Sequence, residues 1–225
     1  MLEVKNISSG YGKKQVLYDV SLTVEKGEVV LLTGGNGSGK STLLKCIYNL
    51  LPCWTGEIFF EGENLNGTKP SDLIKKGIVY IPQKDFYFEN LTVNENLQIS
   101  GNTLPKDILR ERICEVYELT GLGKLKKRKP FDLSGGERKI LAFGMGLIHH
   151  PKLLLLDEPM AGLDIHSENL VKDLISERID KKIGFLIVEH SSHLKNGHLG
   201  TKYSQLRCDR VIDLIDKNKE NNRQM

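Results

Sequence analysis

The sequence predicts an α/β protein in which buried strands deliver polar residues to one edge of a sheet. Two observations support this fold class. A glycine-rich stretch at residues 34–42 lies between an apolar run and a helix-like run, and the apolar runs at 153–156 and 183–188 both end in charged residues. Wholly apolar runs are typical of strands that are covered on both faces. The carboxyl ends of such strands are where α/β sheets bind ligands.

Length and composition narrow the class further. The 225 residues (25.4 kDa) suffice for one large domain, or for a core with an inserted subdomain. The 32 basic and 29 acidic residues are too evenly balanced to indicate a nucleic-acid partner, and we expect none. The four cysteines lack metal-ligand spacing, which indicates reduced thiols. With neither a signal-peptide pattern nor a membrane-length apolar run, we expect a soluble protein that reaches a membrane only through a partner.

Residues 2–33 are predicted to form strands and turns, a β-rich edge ahead of the glycine-rich stretch. Tyr11 stands between two glycines on a turn rather than in an apolar run. It is either an exposed surface on which a purine ring could stack or an ordinary structural tyrosine.

The glycine-rich stretch matches the phosphate-binding pattern G-x-x-x-x-G-K-[ST] in its required strand, loop and helix context. Glycines let backbone N–H groups approach phosphate oxygens, and the next helix directs its positive dipole end to the same place. Lys40 can reach the β- and γ-phosphates, and the Ser41 hydroxyl can ligate magnesium. The predicted nucleotide-binding residues here are Gly34, Asn36, Gly37, Ser38, Gly39, Lys40, Ser41 and Thr42.

The segments after this loop alternate between helix and strand patterns. An amphipathic helix should run to Pro52, and residues 56–62 indicate a short strand. A short helix, Asp72 to Lys76, then precedes a buried-type strand at 78–81 that ends at Gln83. A polar residue in this position faces the ligand edge of a parallel sheet.

Residues 92–123 have a helical pattern, which predicts a helical insertion between core strands. The basic run at 124–129 is a solvated linker or a contact for a phosphate or an acidic partner. Ser134 and Glu137 have the spacing of a capping box at the start of the next helix. Alternatively, Gly135 and Gly136 expose N–H groups there and form a second anion site.

Acidic residues end the strand predicted at 153–156. Asp157 can hold a magnesium ion and Glu158 can polarise an attacking water, as magnesium-dependent phosphoryl transfer requires. The strand at 183–188 likewise ends in Glu189 and His190. Gln83, Asp157 and His190 therefore form a predicted constellation at one sheet edge.

Together these motifs resemble the nucleotide-binding subunit of ATP-binding cassette (ABC) transporters over almost the whole chain. Tyr11 is similar to the adenine-stacking aromatic and Gly34 to Thr42 to the Walker A loop. Gln83 is similar to the Q-loop glutamine. The later matches are Leu133 to Glu137 (family signature), Leu153 to Glu158 (Walker B strand and catalytic glutamate), Ala161 to Asp164 (D-loop) and His190 (switch histidine).

The resemblance implies a P-loop NTPase (RecA-like) core with an N-terminal antiparallel β subdomain, at about 1–83 and 151–225, and an inserted helical subdomain, at about 84–150. It implies ATP hydrolysis with Mg²⁺. The implied catalytic residues are Glu158, His190, Gln83 and Lys40, and the implied metal-site residues are Ser41, Gln83 and Asp157.

The resemblance also implies partners. Two such subunits, identical or siblings, would sandwich ATP, with Ser134, Gly135 and Gly136 contacting the γ-phosphate of the other chain and Asp164 communicating across the interface. Integral-membrane permease subunits would dock near Lys84 to Leu97, which includes Phe86, Tyr87 and Phe88. The protein would then be cytoplasmic and peripheral on the inner face of the cell membrane.

Within the family, several segments are most similar to the ATPases of branched-chain amino-acid importers. An exporter or lipid-transport ATPase, or a soluble ATPase such as one for iron-sulfur assembly, is the alternative. Residues 191–206 are longer than the usual link to the next strand, and they form a loop or a further partner site. The transported solute and its direction are not fixed by these motifs.

Overall fold

The computed structural model describes residues 1–83, 86–189, 194–195, 198–199 and 206–214. The strands are β1 Leu2–Tyr11, β2 Lys14–Val24, β3 Val29–Thr33, β4 Cys53–Phe60, β5 Glu63–Asn64, β6 Ile78–Ile81, β7 Leu153–Asp157, β8 Gly184–Val188, β9 Leu194–Lys195, β10 His198–Leu199 and β11 Arg210–Asp213. The helices are α1 Lys40–Ile47, α2 Pro70–Lys76, α3 Val93–Ser100, α4 Lys106–Thr120, α5 Gly135–Leu147 and α6 Ile165–Asp180.

Two larger sheets organise the chain. One is parallel and five-stranded, in the order β11-β3-β8-β7-β6. The other is antiparallel and four-stranded, in the order β2-β1-β4-β5. The α/β class with a parallel core sheet and an N-terminal antiparallel sheet is thereby confirmed.

Alternate residues of the parallel strands enter two different hydrophobic clusters. Val29 and Leu31 of β3 pack on one face with helices α3 to α6, whereas Val30 and Leu32 pack on the other with α1 and the antiparallel sheet. Both faces are therefore covered, which explains why these strands are apolar at every position.

The predicted helical stretch at 92–123 contains two α-helices, α3 and α4. α3 begins with a capping box formed by Thr92 and Glu95 and ends at Gly101, and α4 ends at Gly121 in the left-handed conformation. A 3₁₀ turn follows at Leu122–Leu125. Glycine and proline between residues 101 and 105 supply the break.

Helix α5 joins this helical region to the parallel sheet. A Cβ on Gly144 would lie 2.8 Å from Val116 of α4, and a Cβ on Gly146 would lie 3.0 Å from Ile81 of β6. Small residues thus allow close approach on both sides of the helix, so the start of α5 is held at a defined place relative to the sheet.

Asp164, the last residue of the D-loop match, is the N-cap of α6, which begins at Ile165. The short strand β11 runs from Arg210 to Asp213 beside β3. All four cysteines are free thiols.

Candidate functional site

The polar residues predicted to share a sheet edge follow neighbouring parallel strands. β3 leads into the glycine-rich loop, β6 leads to Gln83, and β7 ends at Asp157. Just past the strand ends, the Glu158 N–H donates to Val188 O (3.1 Å) and the Glu189 N–H donates to Leu32 O (3.0 Å). The backbone pairing thus continues past the strand ends along this edge. His190 lies outside the described residues.

The glycine-rich loop ends in an uncapped helix. Gly39 is the N-cap of α1, with φ +99°, and no side chain caps the helix or places an acid in its first turn. A Cβ on Gly39 would lie 2.7 Å from Leu17, so both the dihedral angle and the space require glycine. The first N–H groups of α1 are free to bind an anion, which the helix dipole also favours.

Lys40 lies inside the loop that it completes. Its ammonium donates to the carbonyls of Gly34 (2.8 Å) and Gly35 (3.0 Å), and the residue is buried. Burial lowers the pKa of Lys40, while the carboxylates of Glu158 and Asp157 act in the opposite direction. A phosphate group in the loop would place negative charge beside this buried cation.

Ser41 and Asp157 form a buried oxygen pair. The Ser41 hydroxyl donates to Asp157 Oδ1 (2.9 Å), and the Tyr80 hydroxyl donates to Asp157 Oδ2 (3.3 Å). Burial raises the pKa of Asp157, and these two hydrogen bonds oppose the rise. The carboxylate thus has hydroxyl partners at hydrogen-bond distance, an arrangement suited to a cation.

Glu158 adopts a left-handed backbone conformation, with φ +50°, directly after β7. This conformation is uncommon for a residue other than glycine, and such strain is concentrated at functional sites. Its buried side chain accepts a hydrogen bond from the Gln83 amide. The turn thus brings the Gln83 and Glu158 side chains together in front of the loop.

These residues line one cavity of about 530 Å³. Its wall contains Tyr11, Lys14, Val16, Asn36, Gly37, Ser38, Gly39, Lys40, Ser41, Thr42, Gln83 and Glu158. Tyr11 is 46 % exposed on the β1–β2 hairpin, where a ring could stack on it. The structure therefore brings together most of the predicted site, including its aromatic end.

The signature residues lie apart from this cavity. Ser134 caps α5 through a capping box: its hydroxyl accepts from the Glu137 N–H (3.2 Å), and Glu137 accepts from the Ser134 N–H (2.7 Å). Gly135 lines a different cavity of about 250 Å³, next to Ala161–Leu163. Gly136 packs against α6, since a Cβ there would lie 1.9 Å from Ser167 Oγ.

Three polar residues that line the cavity or contact its residues are absent from the sequence prediction. Lys14 lies in the cavity wall because it pairs with Tyr11 across the hairpin. The apolar strand pattern predicts Tyr80 as a core residue, but β6 lies beside β7 and the Tyr80 hydroxyl reaches Asp157. Only the hairpin spacing around Tyr11 offered a signal for any of them.

The third missed residue is Lys139 on α5. Its ammonium donates to the Gln83 carbonyl (2.9 Å) and so ties the signature helix to the end of β6. Burial lowers its pKa, against the charges of Asp157, Glu158 and Glu189. A lysine within a charged helix gave no sequence signal for this contact.

The loop after β3 turns directly into the uncapped helix α1 and folds around the buried Lys40. Because P-loop nucleoside-triphosphate hydrolases bind phosphates with this arrangement of strand, loop and helix, the site places the chain in that class. The protein-family profile described as "ABC transporter" matches residues 17–161. The chain therefore belongs to the ABC transporter family and is the ATP-hydrolysing subunit of such a transporter.

The relatives are similar over most of their length. The chain is 38 % identical to the "Probable branched-chain amino acid transport ATP-binding protein LivF" of Archaeoglobus fulgidus, over 85 % of this chain and 82 % of the relative. Identity is also 38 % to the "High-affinity branched-chain amino acid transport ATP-binding protein BraG" of Pseudomonas aeruginosa, over 86 % and 83 %. Other matching relatives are named for molybdate/tungstate import, methionine import or lipopolysaccharide export.

Solved structures agree. A nucleotide-free ATP-binding cassette from an ABC transporter superposes with a TM-score of 0.78 at 32 % identity, covering 84 % of this chain and 81 % of that one. A dimeric cassette in a post-hydrolysis state, bound to ADP and Pi, gives 0.73 at 25 % identity, covering 84 % and 87 %. This chain accordingly binds ATP, hydrolyses it and couples hydrolysis to transport. Within the described residues, no helix has the length and apolarity to cross a membrane.

Proposed function

We propose that this chain powers a branched-chain amino-acid importer. Two relatives, from an archaeon and a bacterium, carry that name and are 38 % identical to it over more than four fifths of their length. The relative named for lipopolysaccharide export is 34 % identical over a similar share. Export is therefore the alternative function, and the transport test must distinguish it from import.

The position of Glu158 carries the proposed chemistry. Its carboxylate lies in the wall of the loop cavity and is hydrogen-bonded to Gln83. There it would accept a proton from the attacking water, which Gln83 helps to position. Lys40 would exchange its two loop carbonyls for phosphate oxygens and hold the γ-phosphate in line. His190 would be a further polar residue that contacts the γ-phosphate.

The metal site fits Mg²⁺. No cluster of three or more His, Cys, Asp or Glu residues able to hold a metal occurs in the part of the chain described. Mg²⁺ does not require one, because it is usually bound by one or two protein oxygens together with water and phosphates. Ser41 and Asp157 supply such oxygens, and Gln83 is the third proposed contributor. When bound, the ion would neutralise charge that develops on the phosphates.

A second ATPase subunit, a copy or a sibling, would complete the site. Gly135 lines a cavity separate from the one at Lys40, so the two anion-binding elements of one chain do not share a cavity. The similar cassette bound to ADP and Pi is dimeric. In this arrangement Ser134, Gly135 and Gly136 would contact the γ-phosphate held by the partner chain.

An apolar groove of about 560 Å³ is the proposed docking site for a permease. Its wall includes Phe86, Tyr87 and Phe88. The aromatic loop is held by Asn96, a fully buried residue whose amide oxygen accepts from the Phe88 N–H (2.7 Å) and whose amide nitrogen donates to Phe88 O (3.0 Å). An apolar groove whose wall is held by hydrogen bonds suits an inserted partner helix. Docking there would place the protein on the cytoplasmic face of the membrane, with residues 84–150 as the helical subdomain between core and permease.

The test is purification from native membranes followed by reconstitution of the complex in proteoliposomes. We expect a permease to copurify, and we expect uptake of labelled leucine to require ATP. Phe88→Glu should reduce copurification, whereas the exposed Phe131→Glu, outside the groove, should not. A copurified permease whose proteoliposomes show no ATP-dependent uptake of labelled leucine would exclude the importer.

A further inference from the structure

Another cavity, of about 400 Å³, lies at the opposite edge of the parallel sheet from the nucleotide site. Lys26, Lys152 and Ile183 line it, and they precede strands β3, β7 and β8. Because nucleotide-binding residues follow the carboxyl ends of these strands, this cavity and the nucleotide cavity are separated by the length of the sheet. We call it the basic cavity.

Positive charge is in excess in the basic cavity. Among the described residues, two acidic side chains line it, Glu61 and Glu115. The lysines and arginines that line it are Lys26, Lys152, Arg178, Lys181 and Lys182. The excess is three positive charges, five minus two, before any charge on His150. Such an excess within one concave space attracts anions.

Each carboxylate is shared among several cations. Glu61 lies 3.2 Å from the Lys26 ammonium and 2.6 Å from that of Lys152. Glu115 lies 2.6 Å from His150, 3.6 Å from Arg178 and 4.0 Å from Lys181. Lys181 also lies 3.9 Å from Glu177, which does not line the cavity, so these ion pairs offset only part of the positive charge.

Arg178 is the buried member of the cluster. It is 5 % exposed, and its Nε has no hydrogen-bond partner among the described residues. Its distance of 3.6 Å from Glu115 is too long for a strong hydrogen bond. Because Arg178 is in the last turn of α6, the negative end of the helix dipole offsets about half a charge. That offset is smaller than the excess of three positive charges in the basic cavity.

We propose that the basic cavity binds a phosphate group, either free or as a phosphate monoester, independently of the nucleotide site. The planar guanidinium of Arg178 can donate two parallel hydrogen bonds to such an oxyanion. Lys152 and Lys181, which are partly exposed at the rim, add charge and access. The volume also accommodates a small organic substituent on the phosphate.

The test measures binding of inorganic phosphate and pyrophosphate by calorimetry, with the protein saturated by ADP so that the phosphate loop is occupied. The double variant Lys152→Ala/Lys181→Ala removes two rim charges without disturbing the interior. Its matched control is Lys5→Ala/Lys75→Ala, which removes two ion-paired surface lysines of similar exposure. Vesicles of phosphatidylcholine with and without phosphatidic acid form a second arm.

We expect the rim variant to bind phosphate or pyrophosphate roughly tenfold more weakly, and the control to match the parent. Arg178→Gln should weaken binding at least as much; if it does not fold, the rim variant decides. If the rim variant instead loses only vesicle binding, the source of the phosphate is a lipid headgroup. Equal affinity of parent and rim variant in both arms overturns the proposal.

Discussion

The two helices predicted to bind anions at their N-termini, α1 and α5, begin in opposite ways. α1 has no side-chain cap, and its N-cap Gly39 has a dihedral angle that only glycine adopts easily. α5 has a complete capping box, in which Ser134 and Glu137 satisfy each other's N–H groups. One helix thus leaves its first donors for a ligand, and the other is stable without one.

The difference indicates how the two ends are used. α1 belongs to a cavity that contains the lysine and carboxylates of its own chain. At α5 the capping box uses the N–H groups of Ser134 and Glu137, while those of Gly135 and Gly136 have no partner within a helix. A Cβ on Gly135 would meet nothing within 4 Å. The uncapped N-terminus of α1 in one chain and the exposed, self-capped N-terminus of α5 in a second chain can therefore lie on opposite sides of one nucleotide.

Glu158→Gln gives the largest expected effect. The amide cannot accept a proton, so we expect turnover to fall by about 10²–10⁴-fold while ATP binding is retained. ATP should then hold two chains together, which size-exclusion chromatography with light scattering detects. A variant that hydrolysed ATP at the parent rate would show that Glu158 is not the base.

The parent protein tests whether a second chain is needed. If its rate of ATP hydrolysis per chain did not depend on protein concentration, that result would argue against a second chain in the site.

Lys40→Ala tests whether the uncapped N-terminus of α1 is the phosphate site. Two loop carbonyls lose their donor and the phosphates lose a buried cation, so we expect nucleotide affinity to fall by about 100-fold or more. A titration with a fluorescent ATP analogue measures it. Lys75→Ala, at an exposed ion pair far from the loop, is the control. Unchanged affinity would contradict the assignment of α1 as the phosphate site.

The sequence alone predicts the uncapped N-terminus of α1 and the residues that surround it. The required glycines, the lysine and the apolar strands are local patterns, so Gly34 to Thr42, Asp157 and Glu158 could be placed at one edge before any contact was known. The Ser134–Glu137 capping box, also local, is present as predicted. The roles of these residues and the boundaries of the subdomains stay predictions.

Other features depend on the order of strands, which no local pattern encodes. Tyr80 contacts Asp157 because β6 pairs with β7, and those strands are separated by about 70 residues of chain. Lys139 contacts Gln83 because α5 packs beside β6. The separation of Gly135 from the Lys40 cavity is likewise a property of the packed chain.

Gly135→Ala and Gly136→Ala separate the two functions of the signature glycines. A methyl group on Gly136 would overlap Ser167, so we expect a loss of about 1–3 kcal/mol in the free energy of unfolding. A methyl group on Gly135 meets only open space within the chain, so stability should be unchanged. Turnover should nevertheless fall about tenfold or more, because the methyl group would face the partner's γ-phosphate. Denaturant melts and steady-state rates distinguish the two variants.

The smallest expected effect compares two capping boxes of the same chain. Thr92 caps α3 with Glu95 just as Ser134 caps α5 with Glu137. Replacing either hydroxyl residue by alanine should cost about 1 kcal/mol of stability, because one N–H loses its acceptor. If Ser134 is only a cap, the two variants should also hydrolyse ATP at the same rate. We expect Ser134→Ala to be several-fold slower, because its hydroxyl can still donate to a phosphate while it accepts from Glu137. Equal rates in Thr92→Ala and Ser134→Ala would reduce the signature serine to a helix cap and leave the trans contact to the glycine N–H groups alone.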